Sequence, residues 1–333
     1  MLQSYSQCYL DQISVQIRGV ETTFGLDRTI LHSDYRHCKG QVLIKVYFSG
    51  VNPVDTYIRA GGFGPVTFPK VLGMDTAGTV EEVGEGVTEF KKGDRVYTTG
   101  TVTGGYAQFT VADVKKTSLL DKSLTFAQGA GVGVPYYTAW KAIYMRAQTK
   151  PKDLVLVHGA SGAVGLAAVQ IAKANGLRVI GTAGTKEGLD LVQKQGAEAV
   201  FNHKEADYID KIKKYTEGKV DVILEMLANV NLNKDLDLLG HRGRVVVVGS
   251  RGEITTNPAL TMGKETSILG MALMSISDDE WLELKSAVNA LLQKGHIKPI
   301  IAKEYKLEDA GQAHKDIINN SGTLGKLVLD TSK

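Results

Sequence analysis

Cysteine is scarce in this sequence, which contains only Cys8 and Cys38 among 333 residues. Two thiols cannot build a disulfide framework or a cysteine-rich zinc site, so both are expected to be free thiols in a reducing compartment. The chain also lacks an apolar run near the ~20 residues that span a bilayer. It opens without the basic and apolar stretches of a signal peptide. These absences predict a soluble, cytoplasmic protein with no membrane contact.

No charge of one sign dominates, since the formal net charge is +3. This balance argues weakly against a dedicated nucleic-acid binder and leaves a local basic patch open. Glycine is abundant, with 37 residues beside an ordinary hydrophobic content of 43%. The combination indicates many tight turns between strands. At this length, two domains are expected.

The sequence pattern changes twice along the chain, which predicts an α/β protein in three regions. Residues 1–134 carry short, glycine-bounded strands from Gln41 onward, typical of a β-rich barrel-like domain, with the first forty residues left open. Residues 135–272 alternate apolar strands with helices, which predicts a doubly wound parallel sheet. Residues 273–333 lose this rhythm and are expected to return to the first domain, making that domain discontinuous.

A glycine-rich turn follows the strand LVLVHG and leads into a helix, over Gly159–Gly165. This layout is typical of dinucleotide binding, because backbone N–H groups and the helix N-terminus can approach a pyrophosphate. A side chain at Gly162 would obstruct that approach. Gly165 would let the helix lie close to the strand.

The next strand end indicates which dinucleotide binds. No acidic residue stands near Gly184 to bind a ribose 2′-hydroxyl, and Lys186 could pair with a 2′-phosphate, so NADPH is favoured over NADH. Lys186 could equally be a solvated lysine at a helix start. His203, after the third strand, could contact the adenosine phosphate or lie in a surface loop. Asn231 and the turn Val248–Arg251 are expected at the same sheet edge.

Several phrases together carry a family resemblance. They are GVNPVDTYIR, LGMDTAGTVEEVG, GGYAQF, LVHGASGAVGLAAVQIA, EMLANVN and RVVVVGSRG. From about Gln41 to Leu329 the chain resembles the zeta-crystallin family of NADPH:quinone oxidoreductases, within the medium-chain dehydrogenase/reductase superfamily. The resemblance implies a GroES-like catalytic domain and a Rossmann domain that binds NADPH.

The resemblance also implies the site residues. Carried onto this sequence, the family's cofactor contacts fall on Tyr57, Ser161, Gly162, Ala163, Val164, Gly184, His203, Asn231, Val248, Gly249, Ser250 and Arg251. Asn52 is expected to face the nicotinamide. Tyr57 and Asn52 are therefore candidates for positioning the substrate and the nicotinamide, although Tyr57 could act by packing alone.

No metal is expected. Zinc-dependent relatives use a cysteine and a His–Glu pair where this chain has Asn52, Met74 and Asp75. Asn and Met are poor zinc ligands, so Asp75 alone could not hold the ion. A quinone is electron-poor and needs no Lewis acid, which fits this loss.

The predicted function is NADPH-dependent reduction of quinones, with ortho-quinones favoured, by hydride or one-electron transfer. An enone or 2-alkenal reductase of the same superfamily is the alternative enzyme. The resemblance also suggests two functions of another class. One is binding of AU-rich RNA, for which KIKKY offers a basic patch, and the other is a role as a lens crystallin. It implies a homo-oligomer, a tetramer rather than a dimer, in which the apolar strand SILGMAL could pair across an interface.

Overall fold

The structure is a computed structural model that describes residues 39–62, 70–319 and 323–332. The predictions for Cys8, Cys38 and the start of the chain lie outside these residues. The strands are β1 (Gln41–Val51), β2 (Asp75–Val83), β3 (Arg95–Thr99), β4 (Phe109–Asp113), β5 (Thr117–Leu119), β6 (Leu154–Val157), β7 (Arg178–Ala183), β8 (Ala199–Asn202), β9 (Val220–Glu225), β10 (Leu239–Val247), β11 (Ser267–Gly270), β12 (Ile301–Lys306) and β13 (Lys326–Asp330).

Nine α-helices lie within the described ranges. They are α1 (Pro53–Arg59), α2 (Phe126–Gly129), α3 (Gly133–Trp140), α4 (Ala163–Ala174), α5 (Lys186–Gln195), α6 (Tyr208–Thr216), α7 (Ala228–Leu238), α8 (Asp278–Gln293) and α9 (Ala310–Asn319). The chain divides into two compact units. Among the described residues, the first unit runs to Val134 and resumes at 301–319 and 326–332, and the second comprises 135–300 and 323–325.

The first unit is built on a seven-stranded sheet. The strand order is β12-β13-β1-β2-β3-β5, and β4 also pairs with β1. All pairs are antiparallel except β12 with β13. Alternate residues of β1, namely Val42, Ile44 and Val46, enter one apolar core, as period-two alternation predicts. Strands from both ends of the described chain therefore share one sheet.

The second unit contains a six-stranded parallel sheet in the order β11-β10-β9-β6-β7-β8. The predicted α/β class with a doubly wound parallel sheet is confirmed. Its strands bury a core that includes Leu156, Ile180, Ile223 and Val245. The strand order changes direction between β6 and β9, and ligands of such sheets bind at the carboxyl ends of the strands flanking this point.

The C-terminal segment differs from the predicted boundary at residue 273. Helix α8 begins at a capping box formed by Ser277 and Glu280, as the sequence predicts. Its apolar face is buried in the second unit and not in the first, where the sequence predicts it. The Trp281 ring packs there against the Tyr137 ring, with centroids 5.3 Å apart. The return to the first unit therefore begins at Ile301, because the apolar face of α8 already has a partner.

None of the helices in the three described ranges is both long enough and apolar enough to cross a membrane.

Candidate functional site

The glycine-rich turn after β6 has the geometry of a phosphate-binding turn. Gly159 has a φ of +57°, and a Cβ at Gly165 would lie 2.5 Å from the Cα of Ala160. Gly165 is therefore required where α4 approaches the turn. The predicted contacts Ser161, Gly162, Ala163 and Val164 span the start of α4, with Gly162 as its N-cap. The helix N-terminus presents N–H donors and a partial positive charge at this position.

The ends of β7 and β8 bring Gly184 and His203 together. A Cβ at Gly184 would lie 2.7 Å from His203 Nε2 and 3.0 Å from Lys204 Cε, so a larger residue here would displace these side chains. Burial lowers the pKa of His203, helped by the charges of His158 and Lys204. Lys204 directly follows His203 in the sequence, yet no motif singles it out.

Lys186 lies near the same edge but is already paired. Its ammonium is 2.6 Å from the Asp190 carboxylate, one turn along α5, and the side chain is largely exposed. This i,i+4 pair competes with the predicted 2′-phosphate contact. Lys204 is therefore the better placed lysine for a phosphate at the β7 end.

Asn231 and the Val248–Arg251 turn meet at Glu225, the last residue of β9. The amides of Val248 and Gly249 donate to the Glu225 carbonyl at 2.9 and 3.1 Å. The Asn231 Nδ2 atom donates to Glu225 Oε1 at 3.3 Å. The Asn229 side chain ties the rest of the turn, since its Oδ1 accepts from Arg251 N at 2.9 Å and lies 3.5 Å from Ser250 Oγ.

Glu225 also belongs to a buried polar cluster that sequence reasoning missed. We call His158, Glu225 and Asp235 the switch-point cluster, because His158 follows β6 and Glu225 ends β9. His158 Nε2 lies 3.0 Å from Asp235 Oδ1 and 3.8 Å from Glu225 Oε2. Among the described residues, these three form the one group with a metal-ligand donor set, and all are buried.

Burial controls the charge of the switch-point cluster. It raises the pKa of both Glu225 and Asp235 to about 7, and repulsion by Asp235 adds to the rise for Glu225. Burial lowers the pKa of His158, so the imidazole is neutral. Burial therefore holds both acids toward the protonated form near neutral pH.

In the first unit, Asn52 lies in a buried cluster with Asp75 and Lys326. Asn52 Nδ2 donates to Asp75 Oδ2 at 2.9 Å, and Lys326 Nζ donates to Asn52 Oδ1. Lys326 Nζ also donates to Asp75 Oδ2 at 3.2 Å. Both ends of the Asn52 amide are therefore bound inside the protein, and Asn52 is only 2% exposed.

The same cluster tests whether zinc fits at the positions where related enzymes hold it. Burial lowers the pKa of Lys326, whereas the Asp75 charge opposes that shift. Asp75 Oδ1 is also occupied, accepting from Thr99 Oγ1 and Val134 N, each at 3.0 Å. An ammonium donor and an amide are not zinc ligands. These residues do not fit zinc, which supports the prediction of a metal-free site.

Helix α1 carries Tyr57 and is fixed at its start by a capping box between Asn52 and Asp55. The side chain of Tyr57 is half-buried. Burial raises the pKa of Asp55 to about 7, and its Oδ2 accepts from Asn52 N at 2.9 Å. Asp55 Oδ2 also lies 3.3 Å from the hydroxyl of Tyr106. Nothing in the sequence indicated Tyr106, because its contact with Asp55 depends on the fold.

The basic phrase KIKKY lies on α6 and forms ion pairs with nearby acids. Lys211 Nζ is 2.6 Å from Glu205 and 3.1 Å from Asp207. Lys213 pairs with Asp237. These carboxylates neutralise much of the charge that a nucleic-acid patch would need.

Comparisons with known proteins match both units. Residues 38–122 match the family described as alcohol dehydrogenase GroES-like domain, and residues 163–290 match zinc-binding dehydrogenase. The chain is 54% identical to a quinone oxidoreductase of Rattus norvegicus and 52% identical to one of Homo sapiens, each over 291 residues. Both alignments cover 87% of this chain and 88% of the relative.

A solved structure gives the same result for the fold. The Escherichia coli quinone oxidoreductase complexed with NADPH superposes with a TM-score of 0.81 at 29% identity. The match covers 90% of this chain and 94% of that one. The predicted GroES-like and Rossmann architecture is therefore confirmed.

Proposed function

This chain belongs to the quinone oxidoreductase family of the medium-chain dehydrogenase/reductase superfamily, and we propose that it reduces quinones with NADPH. It is an oxidoreductase. The observation that carries the cofactor proposal is the second unit's sheet edge, where a phosphate-binding turn, Gly184 beside His203 and the Asn231 region follow successive parallel strands.

The residues present fit a dinucleotide. The turn Gly159–Gly165 would hold the pyrophosphate, because the N-terminus of α4 offers N–H donors there. The absence of a side chain at Gly165 lets the helix lie close to the turn. The Asn231 and Val248–Arg251 segments would hold the nicotinamide half. When bound, the cofactor supplies a hydride.

NADPH is proposed over NADH because of the charges at the end of β7. That end has Gly184 in place of an acid, and His203 and Lys204 lie beside it. A carboxylate there would repel a 2′-phosphate, whereas Lys204 attracts one. Fluorescence titration should show tighter binding of NADPH, and equal or tighter binding of NADH would refute this part.

A quinone acceptor, with ortho-quinones favoured, suits a site that offers no Lewis acid. Positioning of an electron-poor ring would supply much of the rate, and solvent would supply the proton. Turnover of an ortho-quinone should exceed that of a 2-alkenal under equal NADPH. The reverse order would establish the alkenal reductase instead.

Tyr57 is proposed to position the acceptor or the nicotinamide, as the family resemblance implies. The polar ends of Asn52 are both used inside the first unit, so its role is proposed to be holding the start of α1. A Y57F variant that retains full quinone turnover would assign the ring, and not the hydroxyl, to this function.

Self-association through β11 is the proposed quaternary contact. Within the described sheet β11 pairs with β10 alone, and its Ile268 side chain is 43% exposed. An exposed apolar strand at a sheet edge is a surface for pairing with another chain. Binding of AU-rich RNA gains no support from α6, where Lys211 and Lys213 are paired with acids.

A further inference from the structure

The switch-point cluster lies where the second unit's strand order changes direction. His158 follows β6, and Glu225 ends the neighbouring strand β9. Asp235 reaches the same point from α7. The cluster thus lies at the sheet edge that binds dinucleotides in this fold, yet all three side chains are buried.

Glu225 connects this cluster to the proposed cofactor contacts through its Oε1 atom. That oxygen accepts from the amide of Leu227 and from Asn231 Nδ2. The Glu225 backbone carbonyl accepts from Val248 and Gly249. One residue therefore fixes both segments assigned to the nicotinamide half.

The other Glu225 oxygen, Oε2, faces the buried cluster. In the part of the chain that is described, Glu225 Oε2 and Asp235 Oδ2 have no hydrogen-bond donor, whereas Asp235 Oδ1 lies 3.0 Å from His158 Nε2. His158 Nε2 can donate to only one of these oxygens, and two ionised carboxylates can only accept, so a proton shared by the pair would supply the missing donor. The raised pKa of both acids supplies that proton near neutral pH. Oε1 can then remain an acceptor for Asn231.

This arrangement decides which end of the Asn231 amide is available to a ligand. Nδ2 is committed to Glu225, which leaves Oδ1 as the available end; the hydroxyl of Tyr208 lies 3.5 Å from it, at the limit of a hydrogen bond. An amide oxygen accepts hydrogen bonds, so it recognises hydroxyl or amide donors and not phosphate.

We propose that Glu225 is a positioning residue for the cofactor, holding Asn231 so that its amide oxygen accepts from a ribose hydroxyl or the carboxamide of the nicotinamide nucleotide. This inference rests on the proposed NADPH site. Asp235 and His158 act through Glu225, because they surround its Oε2 atom and so fix the direction in which Oε1 faces Asn231.

A double-mutant cycle tests the inference by fluorescence titration with NADPH. E225A, which removes the oxygen that accepts from Asn231, and N231A are each expected to weaken binding about tenfold, and the double variant should be no weaker than the worse single one within about twofold. The expected coupling is therefore about 1.4 kcal/mol, the equivalent of tenfold. Multiplying effects, about a hundredfold in the double variant, would show that the two residues act independently and would overturn the inference.

Two controls separate positioning from misfolding. Adenosine 2′,5′-bisphosphate carries only the adenine half, so E225A should bind it as the wild type does; equal losses for both ligands would contradict a role through Asn231. D221N changes an acid near the start of the same strand, where Asp221 accepts from Leu154 N, and should leave NADPH affinity unchanged.

The remaining outcomes are also distinct. If the wild type does not bind NADPH, the proposed function fails; if it binds and E225A binds equally well, only the positioning role fails. Metal analysis of the purified protein should find no ion. If the wild type contains stoichiometric metal and D235N contains none, a cation and not a shared proton holds the cluster together. That result would overturn this account of the cluster.

Discussion

Lys326 places a positive charge in the interior of the first unit, where its ammonium contacts Asn52 and Asp75. The side chain is 2% exposed, so its charge has no access to solvent that could compensate for a lost partner. Buried ion pairs of this kind contribute little to the free energy of unfolding relative to apolar packing. Removing one partner, however, leaves the other charge buried without compensation. Replacing Lys326 or Asp75 alone should therefore destabilise the protein strongly, whereas replacing both by neutral residues should destabilise it less.

A K326M variant is expected to unfold more easily, by about 3–5 kcal/mol, because the Asp75 carboxylate would remain buried without a cation. Urea unfolding measures this change. D75N/K326M removes both charges and should recover a substantial part of the loss. A double variant as unstable as the sum of the single variants would show that the charge pairing is not the cause.

Lys204 lies beside Gly184 at the end of β7, where we propose that the 2′-phosphate of NADPH binds. K204A should weaken NADPH binding about tenfold and leave NADH binding nearly unchanged, because only NADPH carries the 2′-phosphate. K186A is the matched control, since Lys186 already pairs with Asp190, and should change NADPH affinity less than threefold. A larger effect at Lys186 than at Lys204 would reverse this assignment. Parallel titrations with both nucleotides decide it.

At the scale of elements, β9 and α7 hold two acids whose pKa values rise to about 7 on folding. In the unfolded chain Glu225 and Asp235 ionise near their ordinary pKa values of 4.5 and 3.8, so between those values and about 7 the folded state binds more protons. The free energy of unfolding should therefore fall as pH rises through this range. Outside the cluster, Tyr208 and Lys234 interact electrostatically with its acids, and His203 interacts with His158.

D235N should remove part of this pH dependence. The difference in unfolding free energy between D235N and wild type should grow in favour of D235N from about pH 5 to pH 8. Its slope should be on the order of 1 kcal/mol per pH unit, since one proton accounts for 1.36. Urea unfolding at several pH values measures the difference. A pH-independent difference would mean that Asp235 does not titrate in this range.

The elements that sequence reasoning predicted are those whose signals are local. The α8 capping box and its buried face are confirmed because Ser277, Glu280 and the apolar spacing are near in sequence. The glycine-rich turn was predictable for the same reason. Lys326 and Asn52 are 274 positions apart, and only the sheet brings them together. The orientation of Glu225 likewise depends on side-chain geometry, which no spacing encodes.

For the whole molecule, the edge strand β11 provides the testable contact between copies. I268K places a charge on an exposed apolar edge and should shift the protein toward monomer in light scattering, if β11 pairs across an interface. L282K is a control, because Leu282 is also exposed, at 59%, but lies on α8. A wild-type monomer, or an oligomer unaffected by I268K, would exclude β11 as the contact.

The shared sheet of the first unit also constrains the order in which the molecule can form. Strands β12 and β13 are synthesised only after the whole of β6–β11. When all strands of the parallel sheet have been made, β1 therefore still lacks its neighbour β13. On the ribosome the second unit is expected to become protease-resistant first, with the first unit held open until residues 301–330 emerge. Lys326 is then synthesised after every other residue of its buried cluster, and Asp75 lacks its cation partner until Lys326 arrives.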